Sequence, residues 1–114
     1  LARAIKLITD SCLAHPHLIA GEGRFCSFAT GYQNRKLMVK TGAEGVYTAI
    51  SFDQGMTIAL KARDGHKRAS TATLAKLLVK LEIIPESCPD WVSWSQPEIK
   101  NWRQFLTGHI KVEL

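Results

Sequence analysis

The 114-residue sequence contains no apolar run approaching the roughly 20 residues that a membrane-spanning helix needs. No signal peptide is visible, and the chain begins with Leu1 rather than Met, so a fragment, a processed product or a trimmed chain is expected. The three cysteines, Cys12, Cys26 and Cys88, are an odd number with no Cys-x-x-Cys pair. That excludes a disulfide framework and a zinc ribbon, and it points to a reducing compartment. There is no P-loop, no dinucleotide-binding glycine fingerprint, no His-Glu-x-x-His and no Gly-x-Ser-x-Gly. No serine is followed three positions later by lysine at a convincing helix start. Repeats and low-complexity segments are absent as well.

What is present is ordinary for one globular domain: 46% hydrophobic and 22% charged residues. The net charge is +5 with a pI near 9.3, which mildly favours an anionic or zwitterionic ligand. The basic residues are scattered (Lys6, Arg24, Arg35, Lys36, Lys40), with one denser group from Lys61 to Arg68. No aromatic side chains interleave with them as in single-strand binders, so nucleic acid is not expected as a partner; nor, without a long apolar run, is a membrane. His15 and His17 are the only close histidine pair, and no further ligands stand at a metal-binding spacing.

In chain order, Ala4, Ile5, Ile8 and Cys12 form a helical stripe, so Ala2–Ala14 reads as a helix that Pro16 stops. His15 to Arg24 reads as a loop. Phe25 to Tyr32 is ambiguous and fits a short helix closed by Gly31. Three strands follow, Lys36–Lys40, Val46–Phe52 and Met56–Ala62, with a turn at Asp53-Gln54-Gly55. They read as an antiparallel meander with Met56–Ala62 at an open edge. A helix then runs from about Lys67 to Leu81, with Leu74, Leu77, Leu78 and Leu81 on one stripe. The fold class is therefore α+β. Residues 85–114 read as an irregular wrapping tail anchored by Trp91, Trp94 and Trp102.

The stretch Leu37-Met-Val-Lys-Thr-Gly-Ala-Glu-Gly-Val46 carries the most chemistry. A strand delivers Lys40 to its end, and Gly42 and Gly45 bracket a bend that small residues allow. A lysine placed there can supply a positive charge to a ligand or, if desolvated, accept a proton. An ordinary edge-strand lysine before a hairpin turn fits the same residues.

Lys40-Thr41-Gly42 matches the Lys-Thr-Gly element of the serine β-lactamase and penicillin-binding superfamily. Longer blocks sharpen the likeness: His15-Pro16-His17-Leu18-Ile19-Ala20-Gly21-Glu22-Gly23-Arg24, then Val39 to Val46, then Ile58-Ala59-Leu60-Lys61 with Asp64-Gly65 and Arg68-Ala69. Together they resemble the L-asparaginase II family, the serine-dependent group with a β-lactamase-like fold. The resemblance runs from about Ala4 to Leu81 and continues weakly through Asn101-Trp102-Arg103 and Gly108.

The resemblance implies hydrolysis of the L-asparagine side-chain amide to aspartate and ammonia, by a serine that lysines activate. Lys40 carries over as the lysine of the later Ser-Lys pair. Thr41 and Gly42 carry over as substrate contacts, Glu44 as a contact or as a support of the turn, and Arg24 as a partner of a substrate carboxylate or a loop-stabilising arginine. The nucleophile and the family's zinc-binding positions are expected in a part before Leu1, so these residues form the C-terminal portion of one domain. No metal is assigned here; zinc, if bound, belongs to that N-terminal part. Alternatives are a truncated non-catalytic remnant or another β-lactamase-fold enzyme such as a glutaminase. A homo-oligomer is compatible with the resemblance, and a cytoplasmic location is favoured.

Overall fold

The computed structural model describes residues 1–32, 34 and 36–114. Gln33 and Arg35, the latter one of the scattered basic residues, lie outside the described residues. The chain is α+β, as its periodicities indicate, with a three-stranded antiparallel sheet and flanking helices. Its contacts divide into two compact units, one of residues 1–42 and 48–59, the other of residues 43–47 and 60–114.

The first unit opens with α1, Ala2–Ala14, which ends at His15 just before Pro16, as the proline requires. The expected apolar stripe is not buried: its Ile5 and Ile8 are both more than half exposed, as is Leu7 beside them. The segment read as a loop contains one helical turn, α2, His17–Ala20, because Pro16 sits in helical geometry and starts it. The ambiguous segment is a helix, α3, Phe25–Tyr32. Gly31 lies within it rather than closing it, and a side chain there would touch the Pro16 ring at 3.7 Å.

The strands are β1, Leu37–Thr41, β2, Val46–Ser51, and β3, Met56–Lys61, in the spatial order β1-β2-β3. The expected meander is therefore present, with β2 central and β3 at an edge. Phe52 N–H donates to the Lys36 carbonyl at 2.8 Å, and the Thr48 hydroxyl to the Lys40 carbonyl at 3.3 Å. This register turns Leu37 and Val39 to the buried face, and both are fully buried.

The outer side of β1 is covered by α3. Thr30 accepts a hydrogen bond from Val39 N–H at 3.0 Å, so a buried hydroxyl satisfies a strand group that would otherwise lie open. Phe25, Cys26 and Ala29 on α3 are buried in the same unit.

In the second unit, α4, Lys67–Lys80, begins with His66, whose imidazole accepts from Arg68 N–H at 3.2 Å. Of its leucine stripe, Leu74 and Leu78 are fully buried, while Leu77 and Leu81 are half-buried. Each fully buried leucine contributes about 1.5–3 kcal/mol.

The helix ends in a Schellman motif: Ile83 N–H donates to the Leu78 carbonyl and Glu82 N–H to the Val79 carbonyl, each at 2.9 Å. Glu82 takes the left-handed position at φ 57°, where glycine is usual. Glu82→Gly is therefore expected to raise stability by about 1 kcal/mol, read as a higher urea midpoint at unchanged m-value.

The stretch 85–114, read as irregular, is not. It holds α5, Pro89–Ser95, and a hairpin of β4, Glu98–Lys100, and β5, Leu106–His109. Pro89 starts the helix, since it occupies the first turn with Asp90 beside it. Trp91 is the anchor expected. It is 1% exposed, and its indole N–H donates to the Ala75 carbonyl of α4 at 2.8 Å. Trp94 is half-buried. Trp102, also expected to anchor, is instead 98% exposed at the hairpin tip. The tip is closed by Asn101, whose side-chain oxygen accepts from Arg103 N–H at 2.9 Å and Phe105 N–H at 3.0 Å. Local hydrogen bonds build this turn, and they do not require the indole to be buried.

Candidate functional site

β1 delivers the lysine to a strand end, as its sequence suggests. Leu37 and Val39 point into the core, so strand alternation places Lys40 on the opposite face, and it is exposed. Its ammonium donates to the carbonyl of Thr41 at 2.7 Å. The Thr41 hydroxyl donates to the Gly42 carbonyl at 3.2 Å. Lys40, Thr41 and Gly42 are thus brought together by local contacts. An exposed cation at a strand end can donate to a carboxylate or carbonyl oxygen.

The expected bend is present at residues 43–46, with Gly42 just before it and Gly45 within it. Its left-handed residues are Glu44 at φ 54° and Gly45 at φ 71°, and Gly42 is not among them. Val46 N–H donates to the Ala43 carbonyl at 3.3 Å, which closes a turn with the φ signs of type I′. Such a turn needs positive φ at both central residues, so Glu44 carries backbone strain that Gly45 avoids.

The Glu44 backbone is held in place by Lys61, whose ammonium donates to its carbonyl at 2.7 Å. The Glu44 carboxylate, 83% exposed, stands 3.9 Å from the same ammonium. Its main chain therefore holds the turn, and its carboxylate faces solvent.

Gly45 is required on two grounds. Besides its φ, a side-chain carbon there would lie 2.9 Å from the Gly65 carbonyl carbon and 3.0 Å from Ala62 Cβ. Gly45 also accepts a hydrogen bond from Ala62 N–H at 3.0 Å, and Ala62 accepts one from Gly65 N–H at 3.1 Å. Two tight turns are packed backbone to backbone. Gly55 provides the comparison, with φ 59° but open space around it. Gly55→Ala should cost about 1 kcal/mol of stability from backbone strain alone. Gly45→Ala should cost clearly more, about 2–4 kcal/mol, because the strain and the overlap add. Urea denaturation of the pair measures the difference, and equal losses would mean that the two turns are not in contact.

Arg24 precedes α3, and its carbonyl accepts from Phe28 N–H at 3.0 Å. Its side chain is exposed, and no hydrogen bond or ion pair of its guanidinium falls among the described residues. No contact brings it to Lys40.

Sequence reasoning missed the supporting parts played by Thr30 and Lys61. Thr30 stands nine residues before Val39, which it satisfies, and Lys61 seventeen after Glu44, which it clamps. No local pattern marks contacts at such separations.

Among the described residues no three His, Cys, Asp or Glu side chains gather to hold a metal ion. Cys12, Cys26 and Cys88 are not joined in disulfides. No helix among these residues is long and apolar enough to cross a membrane.

Comparison with known proteins agrees with the motif blocks. No curated protein matches the sequence. The family model described as L-asparaginase II matches residues 1–112, nearly the whole chain and well beyond the blocks around Lys40. The chain that carries this Lys-Thr-Gly strand end and its stacked turns therefore belongs to the L-asparaginase II family.

Proposed function

We propose that the chain is the C-terminal part of a serine-dependent amidohydrolase that converts L-asparagine and water to L-aspartate and ammonia. The observation that carries this reading is the family match over residues 1–112, with Lys40-Thr41-Gly42 at the end of β1.

In this reading the domain has a β-lactamase-like fold. The nucleophilic serine and its own lysine come from chain outside these residues, since no Ser-x-x-Lys occurs here. Two surfaces suit such a complement: the exposed apolar face of α1, and β3, which has one strand neighbour among the described residues.

The steps follow from the chemistry of amides. The serine oxygen attacks the carboxamide carbon while a lysine amine takes its proton. The proton passes to the departing nitrogen, which leaves as ammonia. Water then attacks the resulting acyl ester, and the serine is regenerated with aspartate as product. Lys40 is the lysine of the later Ser-Lys pair. To act as a base its amine must leave the Thr41 carbonyl, and the rest of the domain must exclude water around it. Thr41 and Gly42 orient the substrate. Glu44 serves through the turn it forms, and Arg24 offers a cation to the substrate carboxylate. No metal or other cofactor is assigned to these residues.

The test is ammonia release. The purified 114-residue chain should release none from L-asparagine above buffer, because in this reading the nucleophile lies outside it. Addition of the separately expressed N-terminal part should restore measurable turnover, with L-glutamine and a β-lactam as comparison substrates. Activity in the chain alone, free of contaminating enzyme, would place the serine within these residues and overturn the reading.

A further inference from the structure

The hairpin of β4 and β5 leaves one strand edge open. Its inner ladder is set by Ile110 N–H donating to the Pro97 carbonyl and Asn101 N–H donating to the Phe105 carbonyl, each at 3.0 Å. The Thr107 hydroxyl donates to the Ile99 carbonyl at 2.9 Å. These contacts turn the backbone groups of Pro97, Ile99 and Asn101 towards β5. By alternation, the N–H and C=O groups of Glu98 and Lys100 point the other way. Among the described residues no strand pairs with that side. All three residues of β4 are exposed. The hairpin's irregularity places Thr107 as an extra residue on β5, between the Ile99–Gly108 and Lys100–Leu106 pairs, so β4 itself stays regular.

An open strand edge is a template for another strand. The side chains say which one. Glu98 and Lys100 share one face of β4 and form an ion pair at 2.8 Å, while Ile99, 41% exposed, lies on the other face. The Lys100 ammonium, by hydrogen bond and by charge, holds the Glu98 carboxyl below its ordinary range, with His109 adding a smaller charge effect.

Read antiparallel to itself, Glu-Ile-Lys is self-complementary. A two-fold axis through Ile99 sets Glu98 of each copy opposite Lys100 of the other. Both pairs fall where the backbone groups face outward, so the strands exchange N–H···O bonds at each. The two Ile99 side chains meet at a non-hydrogen-bonded position, where cross-strand side chains lie closest. A parallel, in-register pairing would set like charges side by side, which is unfavourable.

We propose that the free edge of β4 is a self-docking surface, pairing with a second copy of this chain antiparallel about Ile99 to form a four-stranded sheet in the order β5-β4-β4-β5. The surface is independent of the amidohydrolase reading.

Sedimentation velocity of the full chain, from micromolar to near-millimolar concentration, tests it. The wild type should show a monomer–dimer equilibrium. Glu98→Lys and Lys100→Glu should each weaken the dimer by about tenfold or more, since each sets like charges opposite one another twice per dimer. An equimolar mixture of the two variants should recover association as a mixed dimer, because Lys-Ile-Lys then meets Glu-Ile-Glu. Both changes lie on an exposed strand, and circular dichroism verifies that the fold is retained. A wild type that stays monomeric throughout overturns the proposal. So does a dimer that the single variants leave unchanged, or a mixture that does not recover.

Discussion

Lys40→Ala, made in the amidohydrolase proposed above, is expected to lower kcat on L-asparagine by on the order of 10²-fold or more, the usual loss when a general base is removed. The melting temperature should move by no more than about 2–4 °C. The two expectations separate because Lys40 is exposed and its ammonium contacts one backbone carbonyl, so little packing depends on it. A drop in activity with an unchanged fold therefore reports chemistry. Lys40→Arg refines the result. Arginine keeps the charge but does not release its proton, so it replaces a lysine that acts as a fixed cation but not one that acts as a base. Low turnover in both variants supports the base. Recovery in the arginine variant alone reassigns Lys40 to electrostatic support. Near-normal turnover in both removes Lys40 from the reaction.

The largest loss of stability should come from Trp91→Ala, at about 3–5 kcal/mol. Trp91 is 1% exposed, and its indole N–H is bonded to Ala75 on α4. Truncation empties a space that the surroundings fill only in part, and it removes the polar link between α5 and α4. A loss of this size is a large share of the 5–15 kcal/mol that typically holds a domain folded. Trp91→Phe keeps much of the apolar volume and drops only the donor, so it should cost less, about 1–2 kcal/mol. It also keeps the test readable if the alanine variant does not fold. Trp102→Ala is the control, expected within about 0.5 kcal/mol of wild type because Trp102 is 98% exposed. Urea denaturation measures all three. Equal effects at Trp91 and Trp102 would contradict the packing described for α5.

The contrast between the two tryptophans shows why composition alone misleads. Both are large, apolar and close to a turn, and sequence reasoning treats them alike. Trp91 lies on a helix that meets α4, whereas Trp102 lies on a turn that Asn101 closes through its own side chain. Burial is a property of what an element meets, and that partner is remote in sequence. The stripe on α1 makes the same point from the other side. Ile5 and Ile8 sit at helical spacing, and the helix forms, but the described residues supply no surface that buries them.

The sequence by itself determined the elements whose signals are local. Ala2–Ala14 and the Lys67 helix follow from apolar spacing and from Pro16, and the strands from runs of β-formers with glycine turns between them. The motif blocks determined the family as well, because they name particular residues in a particular order. What only the tertiary structure decided are contacts between distant residues. Thr30 satisfies the open side of β1, Lys61 clamps the carbonyl of Glu44, and Gly65 packs against Gly45 so closely that no side chain fits. The bend after Lys40 follows the same rule. Its two glycines are plain in the sequence, yet the left-handed conformation falls on Glu44 and Gly45, because turn geometry and the second turn packed against it choose the residues that bend.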